Sequence, residues 1–262
     1  MKSAPFDYRR PETIAEALEL LDQHGDDAKP LAGGQSLIPL LAMRLAQPAL
    51  LIDVAHIDEL RGIEMAPGQI RIGAMTRQAE LGRTSGLPGI VTAALPHIGH
   101  FQIRSRGTVG GSLAHMDPAA EWPALALLLD AELELISLRR GMRTVPAADF
   151  MLGPLTTALE PDELLLAITI SGAEGGFGFA EVERRPGDFA LVGAAAHGGR
   201  VVVFATGAAP QRLDIPAGLE PAEIRRLAEA QIEATGDIHA GALYRRRVGA
   251  RLVERVLAEA AA

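Results

Sequence analysis

The sequence contains no cysteine. That excludes disulfides, zinc–thiolate sites, a thiol nucleophile and iron–sulfur ligation by this chain. It also lacks an apolar run near the roughly 20 residues that a membrane span needs. Its polar opening, MKSAPFDYRRPET, does not read as a secretory signal, so none is expected. Positive charge is scarce too. The 25 Lys and Arg stand against 33 Asp and Glu, for a net charge of −8, and no basic patch suited to nucleic acid is visible. Neither a Walker lysine nor a G-x-G-x-x-G fingerprint occurs, so a Rossmann dinucleotide fold is not expected. What remains is a chain of 262 residues, 48% hydrophobic and 22% charged, able to bury a core and long enough for two modest domains. A soluble, cytoplasmic protein is the expectation.

Periodicity gives a coarse outline. ETIAEALELLDQ (12–23) places Ile14, Ala17, Leu18 and Leu21 at helical spacing, with Gly25 as a stop. SLIPLLAMRLA reads as a second helix, with Ser36 as N-cap and Pro39 in the first turn. ALLIDV (49–54) is a buried strand, which completes a small β-α-β-like unit. Further on, QIRIGAM, ELELISL and DELLLAITI read as strands, and TRQAELGRT, GLPGIVTAALPHIG and PAAEWPALALLLDA as helices. Their irregular alternation predicts an α+β region with a mixed or antiparallel sheet. SGAEGGFG (171–178) marks a boundary or linker. Three strands follow, the last two joined by a Gly198-Gly199 hairpin, and two helices close the chain.

Two glycine pairs stand out, in LAGGQSL (31–37) and GTVGGSL (107–113). Without a Cβ, backbone can approach an oxygen closely and several N–H groups can converge on it. A following helix adds positive potential at that end. The first loop runs straight into its helix. In the second, a helix is expected only some residues later. Either loop alone reads equally well as a tight turn. Two of like chemistry suggest one ligand held from both sides.

LAGGQSLIPLLAMRLAQPALLIDVAHIDELRGI and RSRGTVGGSLAHMDPAAEWPALALLLDAELEL, followed by EVERRPGDFALVGAAA and LYRRRVGARLVERVL, closely resemble the FAD-binding medium subunit of molybdenum hydroxylases. That group includes carbon monoxide, aldehyde, N-heterocycle and xanthine dehydrogenases. The resemblance spans nearly the whole chain. It implies an α+β fold: a two-lobed FAD-binding domain over 1–172 (lobe one about 1–55, lobe two about 56–172), then a C-terminal domain over 177–262 with a three-stranded antiparallel sheet and helices. It implies non-covalent FAD extended between the lobes, with its pyrophosphate held by both loops. By position, Ala32, Gly33, Gly34, Gln35, Ser36 and Leu37 form the first FAD loop, and Gly107, Thr108, Gly110, Gly111 and Ser112 the second. Ala114, Asp117 and Glu121 continue along the cofactor. Relatives usually carry aspartate at the last of these. Leu165 matches an apolar position near the flavin, and Phe189 one beside the isoalloxazine ring. The lysine that xanthine dehydrogenase carries before its arginine pair is missing from FAEVE, so its use of NAD is not implied.

The resemblance also implies partners: a large subunit with the molybdenum cofactor and a small one with [2Fe-2S] clusters, assembled as a dimer of heterotrimers. This chain would be the electron-transfer component, which agrees with the absence of cysteine and of any evident acid–base pair. A rival reading is a self-sufficient flavin oxidoreductase, for which Asp188 is the one nearby base. Another is a scaffold that has lost FAD. Among other residues, His97 and His100 read as structural or exposed, without a third metal ligand. His115 lies within the second loop. Arg245-Arg246-Arg247 reads as a solvated helix face or a subunit contact, and Trp122 as core. Ser36 and Ser112 lack the neighbours a nucleophile requires.

Overall fold

The computed structural model describes residues 2–171 and 175–262. Met1 and residues 172–174 lie outside the described residues, so the expected boundary near 172 and the middle of SGAEGGFG fall there. The first part contains β1 (Asp7–Arg9), α1 (Ile14–His24), β2 (Ala28–Leu31), α2 (Leu37–Ala42) and β3 (Leu50–Asp53). β3 lies between β1 and β2 and is parallel to both. Thr13 caps α1 by accepting from the Glu16 N–H, and Gly25 ends it with φ 50°. α2 is shorter than its apolar pattern. Arg44, at φ 59°, turns the chain just after Ala42.

The second part contains β4 (Ile63–Ala66), β5 (Gln69–Gly73), α3 (Gln78–Leu81), α4 (Gly89–Ala94), α5 (Phe101–Arg104), α6 (Val109–His115) and α7 (Glu121–Leu128). It continues with β6 (Glu132–Ser137), β7 (Gly141–Pro146), α8 (Ala147–Phe150), β8 (Met151–Gly153), β9 (Thr156–Thr157) and β10 (Glu163–Ser171). The main sheet runs β4-β5-β10-β6-β7, all antiparallel. β10 explains the unbroken apolar run LLLAITI. Leu165, Ile168 and Ile170 join the large core around Trp122, Phe150 and Leu113. Leu164, Leu166 and Ala167 pack on α1, β3 and Leu60. A strand buried on both faces shows no alternation. α7 starts later than its sequence pattern, because Asp117 holds a turn, accepting Ala119 N–H on Oδ1 (2.9 Å) and Ala120 N–H on its carbonyl (3.0 Å).

The last part contains β11 (Phe177–Glu183), β12 (Ala190–His197), β13 (Arg200–Phe204), β14 (Gln211–Leu213), α9 (Pro221–Gln231) and α10 (Ala242–Ala261). The three expected strands form an antiparallel meander that β14 extends by three residues, and Gly198-Gly199, both at positive φ, turns β12 into β13. One face packs on α9 and α10 through Val203, Ile232 and Val253. The other supplies Phe179, Val202 and Phe204 to the large core shared with the second part. No helix among the described residues is long and apolar enough to cross a membrane.

Candidate functional site

The first glycine loop leaves the C-terminal end of β2 and enters α2. Residues 32–37 are all partly exposed, so the loop is open to a ligand. Gly34 has φ 74°, a left-handed conformation that frees the next amides from helical geometry. The loop is braced by Gln35 Nε2 donating to Gly33 O (3.2 Å) and by Ile38 N–H donating to Gly34 O (3.1 Å). Among the described residues, the backbone N–H groups of Gly33, Gly34, Gln35, Ser36 and Leu37 have no acceptor. Five successive unsatisfied donors on a glycine turn match the needs of an anion. Ser36 stands at the N-cap position, but its hydroxyl does not cap α2.

The second loop is built differently. Its helix does not begin later; α6 starts at Val109 and includes Gly110 and Gly111. Thr108, buried, is its N-cap and accepts the Gly111 N–H on Oγ1 (3.0 Å). Val109 N–H donates to Thr76 O (3.1 Å), Gly110 N–H to Ala74 O (2.9 Å) and Ser112 N–H to Thr108 O (3.1 Å). The first donors of this helix are therefore already engaged, and its glycines serve close packing. A Cβ on Gly110 would stand 2.5 Å from the Ala74 Cβ.

The two loops meet. A Cβ on Gly33 would lie 2.2 Å from Arg106 O and 2.8 Å from Gly107 Cα, so the first loop rests directly on the backbone of the second. One on Gly111 would be 3.5 Å from the Ala32 Cβ. Segments far apart in sequence thus meet, with free amides on the first loop and partly exposed Ser112 on the second.

The remaining positions named from the sequence lie outside the two loops. Ala114 is exposed and His115 half-buried on α6, and Asp117 follows at the turn. Glu121 opens α7 and is buried. Burial, reinforced by the charges of Asp117 and Glu183, pushes its carboxyl up to about 7. Leu165 is buried in β10. Phe189 is 65% exposed just before β12, as an aromatic face open to a ligand. Trp122 is fully buried, as expected.

Other candidates have structural roles. Arg245 donates to Ala205 O and pairs with Asp237, both at 2.5 Å, so it anchors α10 rather than lying on a solvated face. His97 places Nδ1 3.3 Å from Glu181 Oε1 and tilts against the Phe179 ring. Among the described residues no group of three His, Asp or Glu is placed to hold a metal ion. Two surface concavities lie away from the loops, about 380 Å³ between Gly199 and Ile215 and about 270 Å³ between Arg9 and Gln23. Both are open and neither includes a glycine loop, so the row of free amides at 33–37 remains the better ligand candidate. Sequence reading missed Glu181. Its one signal is alternation, which places it on the same face of β11 as buried Phe179.

Residues 4–171 match the family described as the FAD binding domain in molybdopterin dehydrogenase. The chain is 38% identical to the nicotine 6-hydroxylase medium subunit of Paenarthrobacter nicotinovorans, over 100% of this chain and 99% of that one. It is 41% identical to the carbon monoxide dehydrogenase medium chain of Hydrogenophaga pseudoflava over 72% of this chain and 68% of that one. The fold superposes on the solved structure of carbon monoxide dehydrogenase from H. pseudoflava lacking the Mo-pyranopterin moiety of its cofactor. The TM-score is 0.92 at 33% identity, with 99% and 98% of the two chains covered.

Proposed function

We propose that this chain, which belongs to the FAD-binding medium subunits of molybdenum hydroxylases, carries electrons from a [2Fe-2S] partner to an external acceptor. The observation that carries the reading is the row of five unpaired amides at 33–37, seated on the backbone of the second loop. The donor set fits a dinucleotide pyrophosphate. In this reading Gly33 to Leu37 bind the phosphates through their N–H groups, with Ala32 beside them. Gly107 and Gly111 let the second loop lie against the first, Gly110 seats α6 on Ala74, Thr108 caps the helix and Ser112 contributes a hydroxyl. Ala114 leaves room along α6, Asp117 and Glu121 face polar groups further along the cofactor, Leu165 forms an apolar wall and Phe189 covers an aromatic face. FAD, when bound, supplies the exchange between one-electron and two-electron chemistry, and the protein supplies position and electrostatics.

The partners in this reading are a large subunit with the molybdenum cofactor, where substrate is hydroxylated, and a small [2Fe-2S] subunit, together a dimer of heterotrimers in the cytoplasm. We also propose the division into an FAD-binding domain over 1–172, itself in lobes of about 1–55 and 56–172, and a C-terminal domain over 177–262. The separate sheets support it.

The test is purification of the native complex and of the chain alone. The complex should contain two further polypeptides and about one FAD per copy of this chain. The isolated chain, reconstituted with FAD, should reduce a dye from a chemical reductant but oxidise no organic substrate. Failure to take up FAD, or substrate turnover by the isolated chain, would refute the reading.

A further inference from the structure

Between the second part and β11 lies a set of ionisable side chains that cofactor binding, as proposed above, leaves without a role. Glu181 is its centre. Its side chain is 0% exposed, and neither carboxyl oxygen has a hydrogen-bond partner of good geometry among the described residues. The nearest polar group is His97 Nδ1, 3.3 Å from Oε1, on a ring that is itself 35% exposed. The other side of that ring tilts on Phe179, at 5.1 Å between centroids. A buried, unpaired carboxylate is costly, so such a group holds a proton or takes one from a neighbour. A single proton satisfies this contact in two ways: the carboxyl O–H donates to neutral Nδ1, or Nδ1–H donates to the carboxylate.

The charges acting on Glu181 and on its neighbour Glu121 sit on α7, the turn before it, β11 and α5. Glu121 stands at the start of α7, Asp117 in the turn before it, and Glu183 on β11. Arg104 of α5 is the one cation acting on Glu121. It is pinned by its donations to the carbonyls of Pro96 (3.3 Å), Ile98 (3.1 Å) and Gly99 (2.5 Å), and so cannot swing in to neutralise Glu181. Glu183 is itself engaged by the Gly187 N–H (3.0 Å). Burial first, then the charges of Glu121 and Glu183, push Glu181 up to about 8.

We propose that Glu181 and His97 are a proton-holding pair behind Glu121, positioning residues that load a proton when negative charge is added at the flavin site and release it when that charge leaves. The proton comes from solvent through the half-exposed imidazole and returns the same way. The pair moves no electron. Its role in flavin chemistry rests on the FAD reading above, but its buried proton does not.

The experiment uses the full chain labelled with carboxyl-¹³C glutamate. Infrared spectra at neutral pH should contain protonated-carboxyl absorption that shifts with the label and fades as pH is raised; Glu121 contributes to it, so the Glu181 component is the part lost in E181Q and kept in E121Q. In FAD-loaded protein, chemical reduction should perturb that band. E181Q should keep its full FAD content while the flavin potential changes its dependence on pH near neutrality. H97F, which keeps Glu181, should keep the band but slow its exchange in D₂O, and so reads the pair if E181Q does not fold. A protonated-glutamate band that E181Q leaves unchanged overturns the proposal, as does FAD-loaded E181Q with an unchanged potential–pH profile. A chain that takes up no FAD refutes the flavin reading alone, and the band in that unloaded chain still decides the pair.

Discussion

Replacing Gly33 by alanine tests the seam between the two loops. The new methyl carbon would stand 2.2 Å from Arg106 O, 2.8 Å from Gly107 Cα and 2.9 Å from the Arg106 carbonyl carbon. An ordinary carbon–oxygen contact is about 3.3 Å, so the loops must part by roughly 1 Å. Every obstructing atom is backbone, and no side chain can rotate aside. Overpacking of this kind costs about 1–3 kcal/mol. In a chain of this size that lowers the melting temperature by roughly 2–4 °C per kcal/mol. The donor row at 33–37 shifts with the loop, so FAD content should fall by more than the stability change explains. Calorimetry and the visible absorbance of reconstituted protein measure the two effects. Gly153→Ala is the control: its Cβ meets nothing within 4 Å and its φ is not positive, so it should be silent. A Gly33→Ala protein with wild-type melting temperature and full flavin would show that the loops do not touch as described.

Three further outcomes are expected. Thr108→Val removes the α6 cap on Gly111 and should cost about 1 kcal/mol in denaturant unfolding, with Thr108→Ser close to wild type. The buried Glu163 accepts Arg143 Nε and Nη2, both at 2.7 Å, and Glu160 N–H at 3.0 Å. Burial raises its carboxyl, but these bonds outweigh it and hold the group below its usual range. Glu163 therefore stabilises the fold above the unfolded carboxyl pKa, and that contribution is lost as pH falls through the lower folded value. Glu163→Gln should lose about 1.5–3 kcal/mol at neutral pH, toward the low end because Arg143 is 42% exposed, and much less in acid. Glu121 has the opposite sign, since its carboxyl is raised to about 7. The folded chain keeps a proton that the unfolded chain has lost, so stability declines as pH rises from the ordinary carboxyl range to about 7, by at most about 1.4 kcal/mol per pH unit. Glu121→Gln should flatten that decline in urea titrations across pH, and an unchanged slope would show that Glu121 ionises normally.

Legibility in the sequence followed burial. β6 and β10 were readable because apolar side chains face a core, and α1 because its stripe, cap and stop agree. β1 was not, since all three of its residues are exposed and a strand without a buried face has no period-two signal. β4 and β7 are mostly exposed edge strands and were missed or left unassigned for the same reason. The glycine pair in α6 hid a helix, because glycine disfavours helices and only the tertiary bonds to Thr76 and Ala74, with the Thr108 cap, make it form. At the site, the chemistry of each loop was local and readable. That Gly33 rests on Arg106 and Gly107 is a contact between distant segments, which residue spacing does not encode. Glu181 was hidden because one charged letter in a strand ordinarily points to water.

The order of strands in the two FAD-lobe sheets bears on how the chain comes to be folded at all. In the first sheet β1 and β2 touch only β3, and in the second the pairs β4-β5 and β6-β7 are joined only by β10. Each central strand is thus the last of its sheet to be synthesised. Until Asp53 emerges, the first sheet has no ladder. Until residues 163–171 emerge, the second is two separate hairpins, which are marginal on their own. The C-terminal sheet instead follows chain order, hairpin by hairpin, with local contacts. Local pairings form faster than distant ones, so insertion of β10 is the expected slow step in refolding. Pulse-labelled hydrogen exchange should protect β12 and β13 before β5 and β6. Simultaneous protection of all four would mean that the sheets do not assemble in the sequence their connections suggest.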